Sequence, residues 1–299
     1  MKRFPDGSRV CFIGDSITHN NGFLAHIVAY YRNSFPESMV EFYNCGISGG
    51  TLTTVLHSFD EDILPYHPTH VVMMIGINDS NRNALNGPAN EKFSLLLRAF
   101  EGYKKNLKTL CDRLDNIGVD VTLCTPMPYA EYMESEIEVL QGGSALLLGY
   151  ADFVKAYAKE QGYSLCDYHT YATRVMQNEA IYNPDRVHPT PRGHYYMAKC
   201  FLESQGLELG DETELPPDVQ KWSEVVLLVR NTIATEHFIL NDDFTTTPQE
   251  RWDAIQNYLE CGQPGPYETY FKQLSRQYLE IKPHQRENIQ FTIDFMRNR

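Results

Sequence analysis

At 299 residues the chain can hold one large domain, or a domain with an appendage, and a core large enough to stabilise it. Its 42% hydrophobic and 22% charged residues are those of a soluble globular protein, and a net charge of −13 argues against nucleic acid or an anionic membrane as the main partner. No stretch approaches a membrane span, and the first residues, Met-Lys-Arg-Phe-Pro-Asp-Gly, have the basic start of an export signal without its apolar core. Seven cysteines, an odd number with no C-x-x-C pair, point away from a disulfide framework or a zinc site, so a cytoplasmic protein is expected.

The expected elements alternate between strand and helix. Val10 to Ile13 is a short apolar run with β character. Gly14-Asp15-Ser16 breaks it, and a polar loop from Ile17 to Gly22 follows. Phe23, Leu24, Ile27, Val28 and Tyr31 recur at helical spacing. Met39 to Tyr43 reads as a second strand ending in Asn44-Cys45-Gly46. A glycine-rich turn from Gly46 to Thr51 then opens a short helix with Leu52, Val55 and Leu56. Thr69 to Ile75 is a third strand, apolar enough to be buried on both faces. A long helix spans 90–116, with Phe93, Leu96, Leu97, Phe100, Leu107, Leu110 and Leu114 on its inner side. Val119 to Cys124 is strand four, 126–142 a long connection, Leu146 to Glu160 a helix and Tyr163 to Cys166 strand five. Tyr171 to Gln177 and Gly193 to Glu203 are helical, on either side of a loop at 184–189.

This alternation defines a parallel sheet with right-handed crossovers. The expected fold is α/β: a three-layer α/β/α, flavodoxin-like domain of five strands in the order 2-1-3-4-5, over residues 1–206. Acidic residues and Pro216-Pro217 mark a linker after it. Residues 207–299 are expected to form a helical extension, with helices at Trp222–Ile233, Trp252–Leu259 and Tyr267–Tyr278 and a fourth that starts near Pro283 and is marked by Ile289, Ile293 and Met296.

In that strand order the turns after strands one, two and three are neighbours, which gathers Ser16, Gly46 and Asn78 at one sheet edge. The group fits the needs of ester hydrolysis. Ser16 can attack a carbonyl, and the oxyanion that forms needs preorganised donors. The Ser16 N–H, the Gly46 N–H and the Asn78 amide can supply them, each donor contributing about 3–4 kcal/mol to the transition state. Asp185-x-x-His188 offers His188 as a base and Asp185 as the carboxylate that fixes its tautomer. A capping aspartate beside an exposed histidine is the plainer reading of the same pair. A second serine competes: Gly46-Ile47-Ser48-Gly49-Gly50 matches the G-x-S-x-G nucleophile elbow, although a tight turn opening a helix accounts for its glycines.

Gly14-Asp15-Ser16-Ile17, Gly46, Gly76-Ile77-Asn78-Asp79 and Asp185-x-x-His188, in this order, resemble the SGNH (GDSL-type) hydrolase family over roughly residues 8–205. Ile17 stands where the name motif has Leu. The resemblance implies a flavodoxin-like esterase, lipase, thioesterase or carbohydrate deacetylase. It makes Ser16, Gly46, Asn78 and His188 the four name residues and Asp185 the third member of the triad.

The expected activity is serine ester hydrolysis through an acyl-enzyme, on short acyl esters such as O-acetyl groups on carbohydrate. A lipid or thioester acylhydrolase, an acyltransferase to a sugar hydroxyl and a non-catalytic interaction scaffold are the alternatives. No cofactor and no metal are called for. Asp15, His19 and Tyr129 are possible substrate-lining residues, and Tyr129 and Tyr132 in the long connection can shape an acyl or sugar site; His19 also reads as an exposed loop residue, and the two tyrosines as packed loop aromatics. His194 reads as a helix-surface residue. The helical extension can cover the site, join two copies into a homo-oligomer or simply pack on the domain.

Overall fold

The computed structural model of the chain describes residues 1–211 and, beyond them, 214–217, 219, 220, 223, 224, 226, 227 and 230. Five parallel strands form one sheet: β1 (Arg9–Gly14), β2 (Glu41–Gly46), β3 (His70–Met74), β4 (Asp120–Cys124) and β5 (Ser164–Cys166), in the order β2-β1-β3-β4-β5. Helices α1 (Ser16–His19), α2 (Gly22–Ser34), α3 (Leu52–Asp62), α4 (Ala89–Asn116), α5 (Gly143–Gln161), α6 (Tyr168–Val175) and α7 (Pro191–Ser204) connect and follow them. Order and topology are those the alternation predicts.

Successive strand side chains face opposite sides of a sheet, so one strand serves two cores. Val10 and Phe12 of β1 pack with Phe42, Val72 and Met74 under α2 and α7. Cys11 and Ile13 pack with Tyr43, Val71 and Met73 under α3, α4 and α5. The three layers follow from that alternation. Register places Gly14 level with Gly46 on β2 and with Met74 on β3, so the three turns after these strands start side by side.

Several expectations need correction. The polar loop after Ser16 begins as a helical turn, α1, in which Ile17, Thr18 and His19 are all buried. Strand β2 runs two residues later than its apolar pattern indicates, because pairing with β1 carries it to Gly46; Met39 is left 56% exposed. Helix α4 buries Tyr103, Leu107, Leu110, Cys111 and Leu114, but Phe93 is 83% and Leu97 59% exposed. Length explains this. At 28 residues α4 is about 42 Å long, whereas the five-residue strands it covers span about 17 Å. Its N-terminal half therefore overhangs the C-terminal edge of the sheet. His194 is not on the surface of α7: it is buried and stacks on Phe23 of α2 at 6.4 Å, with burial pushing its pKa down to about 3.

Helix α7 ends at Ser204, and Gly206 just beyond it takes the left-handed region. The described residues between 217 and 230 are helical, and Val219 and Val226 are buried in the core on the α2–α7 side. Trp222, Val225 and Val229, and the helices expected from 231 onward, lie outside the described residues. Among the described residues no helix is long and apolar enough to cross a membrane.

Candidate active site

Strand β1 delivers the nucleophile candidate. Asp15 caps α1 by accepting a hydrogen bond from the Ile17 N–H at 3.0 Å, which makes Ser16 the first residue of the helical turn. Its hydroxyl lies 2.7 Å from His188 Nε2, and His188 Nδ1 lies 2.5 Å from Asp185 Oδ2. The other Asp185 oxygen accepts from the N–H groups of Val187 (3.0 Å) and His188 (2.9 Å). Burial, the largest influence on Asp185, pushes its carboxyl up, but these N–H groups and the imidazole together outweigh it and hold the pKa below the usual range. An ionised Asp185 can only accept. His188 Nδ1 therefore carries the ring proton, and Nε2 is free to accept from the Ser16 hydroxyl. Ser48 makes no such contact: the imidazole is directed at Ser16.

The loop that carries His188 is braced at every step. Asn183 N–H donates to His188 O, Thr190 N–H donates to Ile181 O, and the Tyr182 hydroxyl donates to Pro128 O. Between the aspartate and the histidine, Arg186 turns inward with φ of 66° and is 5% exposed. Its guanidinium donates to the carbonyls of Ala130, Glu131, Met133 and Ile137, fastening the 126–142 connection to the loop that carries His188. Sequence reading missed this residue. The signal available was an arginine inside Asp185-x-x-His188, but carbonyl partners leave no side-chain pattern.

The oxyanion candidates divide. The Asn78 amide donates to Gly50 O at 3.0 Å, and the neighbouring Asp79 carboxylate accepts from Leu52 N–H at 2.9 Å, so the turns after β2 and β3 are zipped together. Gly46 plays a different part from the one expected. Its N–H already donates to Asn44 Oδ1 at 2.8 Å. What its position demands is close approach: a Cβ there would lie 2.3 Å from His19 N and 2.7 Å from Thr18 C, both backbone atoms of the turn that begins at Ser16. Asn44, which the sequence reading passed over, also donates to Thr18 O at 2.8 Å and to Asn21 Oδ1 at 3.0 Å.

The substrate-lining expectation for Asp15, His19 and Tyr129 meets burial. They are 2%, 6% and 2% exposed, and the Tyr129 hydroxyl accepts from Leu140 N–H at 3.0 Å, which leaves a ligand little to touch. Tyr132 is 86% exposed, which rules out its reading as a packed aromatic and leaves the reading in which it shapes a site. Burial pushes Asp15 up to about 6 despite the opposing pull of Ile17 N–H, His188 and Arg82. Asp15 thus stabilises the fold when protonated; that contribution is complete below the unfolded value near 3.8 and lost as pH rises through about 6. Asp15→Asn keeps the cap and removes the titration. Compared with wild type, it is expected to gain up to about 3 kcal/mol of unfolding free energy between pH 4 and pH 7 in urea melts. An unchanged difference at the two pH values would overturn this assignment.

A serine bonded to a histidine that is bonded to an aspartate, at the C-terminal edge of a parallel sheet, defines a serine hydrolase of the three-layer α/β/α class. The profile of the GDSL-like lipase/acylhydrolase family matches residues 12–196, and the chain belongs to that family of ester-hydrolysing enzymes. It is 28% identical over 223 residues to an acetylxylan esterase from Geobacillus stearothermophilus, covering 69% of this chain and 97% of that one. A solved variant of a G. stearothermophilus acetyl xylan esterase, Axe2, superposes with a TM-score of 0.59 at 26% identity, over 70% of this chain and 99% of that one. Structures of two catalytic mutants of that esterase, one at a serine and one at an aspartate, match as well. A gut microbial diltiazem-metabolizing enzyme gives a TM-score of 0.64 at 25% identity, over 69% of this chain; the match spans about half, 48%, of that longer protein.

Proposed function

We propose that the chain removes short acyl groups, O-acetyl groups on carbohydrate above all, through an acyl-enzyme on Ser16. The observation that carries this reading is the continuous chain of hydrogen bonds Ser16–His188–Asp185, at 2.7 and 2.5 Å. Ser16 Oγ attacks the ester carbonyl carbon while its proton passes to His188 Nε2, and Asp185 stabilises the imidazolium. Collapse of the tetrahedral intermediate breaks the bond to the alkoxy oxygen, which leaves as the alcohol with the proton from His188. Water, deprotonated by the same nitrogen, then attacks the acyl-enzyme and releases the acid. The Ser16 N–H and the Asn78 amide face the developing oxyanion. With the Gly46 N–H engaged, the backbone donor from the turn after β2 is Gly49, exposed and left-handed at φ of 72°, next to the Gly50 that Asn78 holds. Free, buried thiols at Cys11, Cys45, Cys111, Cys124, Cys166 and Cys200 support a cytoplasmic setting.

A second reading has its own observation. A cavity of about 730 Å³ with Met133, Leu148, Met176 and Ile181 in its lining lies against the segment that Arg186 anchors; Ser16, Asp185 and His188 do not line it, and a longer acyl chain would have to reach it from Ser16. Initial rates separate the two. Acetylated xylo-oligosaccharide and p-nitrophenyl acetate are expected to be cleaved faster than p-nitrophenyl octanoate. A preference for octanoate would transfer the assignment to lipid or thioester substrates. Failure of a fluorophosphonate to label the wild type at Ser16 would remove the acyl-enzyme altogether and leave the scaffold.

A further inference from the structure

Gly46 closes β2, the edge strand of the sheet. Its peptide bond to Ile47 has one face committed, because Ile47 N–H donates to Gly14 O of β1 at 3.0 Å. In a trans peptide the carbonyl on that bond points the other way, so Gly46 O faces the open edge. It is met there by Arg230, which is 3% exposed and donates to it from Nε at 3.2 Å and Nη2 at 2.8 Å. The Gly46 N–H is held by Asn44, Asn44 by Asn21, and the Asn21 amide donates to Ser223 Oγ at 3.0 Å. Both polar groups of Gly46 are therefore fixed by bonds that end on the segment after Pro216-Pro217, outside the span matched by the family profile.

The contacts bear on two functional turns at once. Gly46 begins the turn whose Gly50 carbonyl binds the Asn78 amide. It also touches the backbone of Thr18 and His19, two and three residues beyond Ser16, and Asn44 bonds Thr18 O. A shift of Gly46 along the open edge would move the oxyanion donors relative to the nucleophile.

We propose that Arg230 is a positioning residue for ester hydrolysis, seconded by Ser223: the C-terminal segment clamps the end of β2 and so sets the distance between the oxyanion donors and Ser16. The proposal rests on the Ser16–Asn78 reading given above. It also gives the extension a definite role, since the cation that caps the oxyanion turn comes from it.

The test uses the full-length protein, with thermal melts and far-UV circular dichroism alongside steady-state kinetics on p-nitrophenyl acetate. Arg230→Met is expected to lower kcat by roughly ten- to a hundredfold, the scale of a displacement of about 1 Å at a reacting centre, with KM within about twofold. Arg230→Lys, which retains a donor, is expected to recover most of kcat. Ser223→Ala is expected to lose a few-fold. The decisive readout is a double-mutant cycle with Asn78→Ala: the combined variant should lose clearly less than the product of the two single losses, because both act through one donor set. Should Arg230→Met fail to fold, Ser223→Ala, whose amide partner Asn21 leads to Asn44 and Gly46, carries the same cycle. A folded Arg230→Met with wild-type kcat, or losses that multiply with Asn78→Ala, would overturn the proposal. Ser16→Ala in parallel separates the two readings: an active Ser16→Ala defeats the triad, while an inactive Ser16→Ala beside a fully active Arg230→Met defeats only the clamp.

Discussion

Ser16→Ala is expected to lose ester hydrolysis by roughly 10⁴- to 10⁶-fold, the range seen when the nucleophile of a serine–histidine–carboxylate unit is removed. The cause is the loss of the covalent route, because the remaining oxyanion donors act only on direct attack by water. Fold is not at stake: Ser16 is partly exposed, and the cap on α1 is made by Asp15. Ser48→Ala is expected to keep wild-type rates, since His188 is bonded to Ser16. Asp185→Asn should fall between them, near a 10⁴-fold loss, through a reversed imidazole tautomer. Initial rates on p-nitrophenyl acetate, with matched circular dichroism spectra, decide all three. A Ser16→Ala variant at full rate would reassign the nucleophile.

Gly46→Ala carries the second large effect, this time on the fold and the site together. The added methyl would sit 2.3 Å from His19 N, 2.7 Å from Thr18 C and 2.8 Å from His19 Cα. All three are main-chain atoms, so no rotamer change relieves the clash, and the turn bearing Ser16 has to move. Overpacking of this kind costs about 3 kcal/mol, or roughly 5–10 °C in Tm for a domain of this size. Activity should fall further than stability explains, because the displaced turn carries Ser16, the proposed nucleophile. Gly149→Ala in α5 is the control: no atom lies within 4 Å of the added carbon, and a gain of about 0.5–1 kcal/mol is expected. Thermal melts and rates on the pair test the argument; a Gly46→Ala variant as stable and active as wild type would refute it.

The sheet was readable because its evidence is local. Val10–Ile13 and Val71–Ile75 are apolar runs of strand length, each ending at a glycine, and the observed order 2-1-3-4-5 is that expected of five such runs separated by helices. Expectations failed where the decisive neighbour is distant in sequence or is backbone. Phe93 and Leu97 have helical apolar spacing, yet spacing carries no information on whether a helix outruns its sheet. His194 looks like a surface residue of α7 until Phe23 and Gly22 of α2 are brought against it; a Cβ on Gly22 would lie 2.6 Å from its ring. The contact of Ser16, His188 and Asp185 was foreseeable because two short motifs sit at the turns of one sheet edge. Asn44, Arg186 and Arg230 were not, since they bind carbonyls, amides and a glycine peptide that no residue pattern marks.

Arg186 has a bearing on how this site can change. It recognises the 126–142 connection only through main-chain oxygens, so it dictates the path of that loop and is indifferent to the side chains along it. Tyr132, Glu134 and Ile137, all solvent-facing, can be exchanged with the histidine loop undisturbed, whereas insertion or deletion of one residue between Ala130 and Ile137 would take a carbonyl away from a buried cation. The loop's side chains are therefore free to vary while its length is fixed by the arginine beside His188.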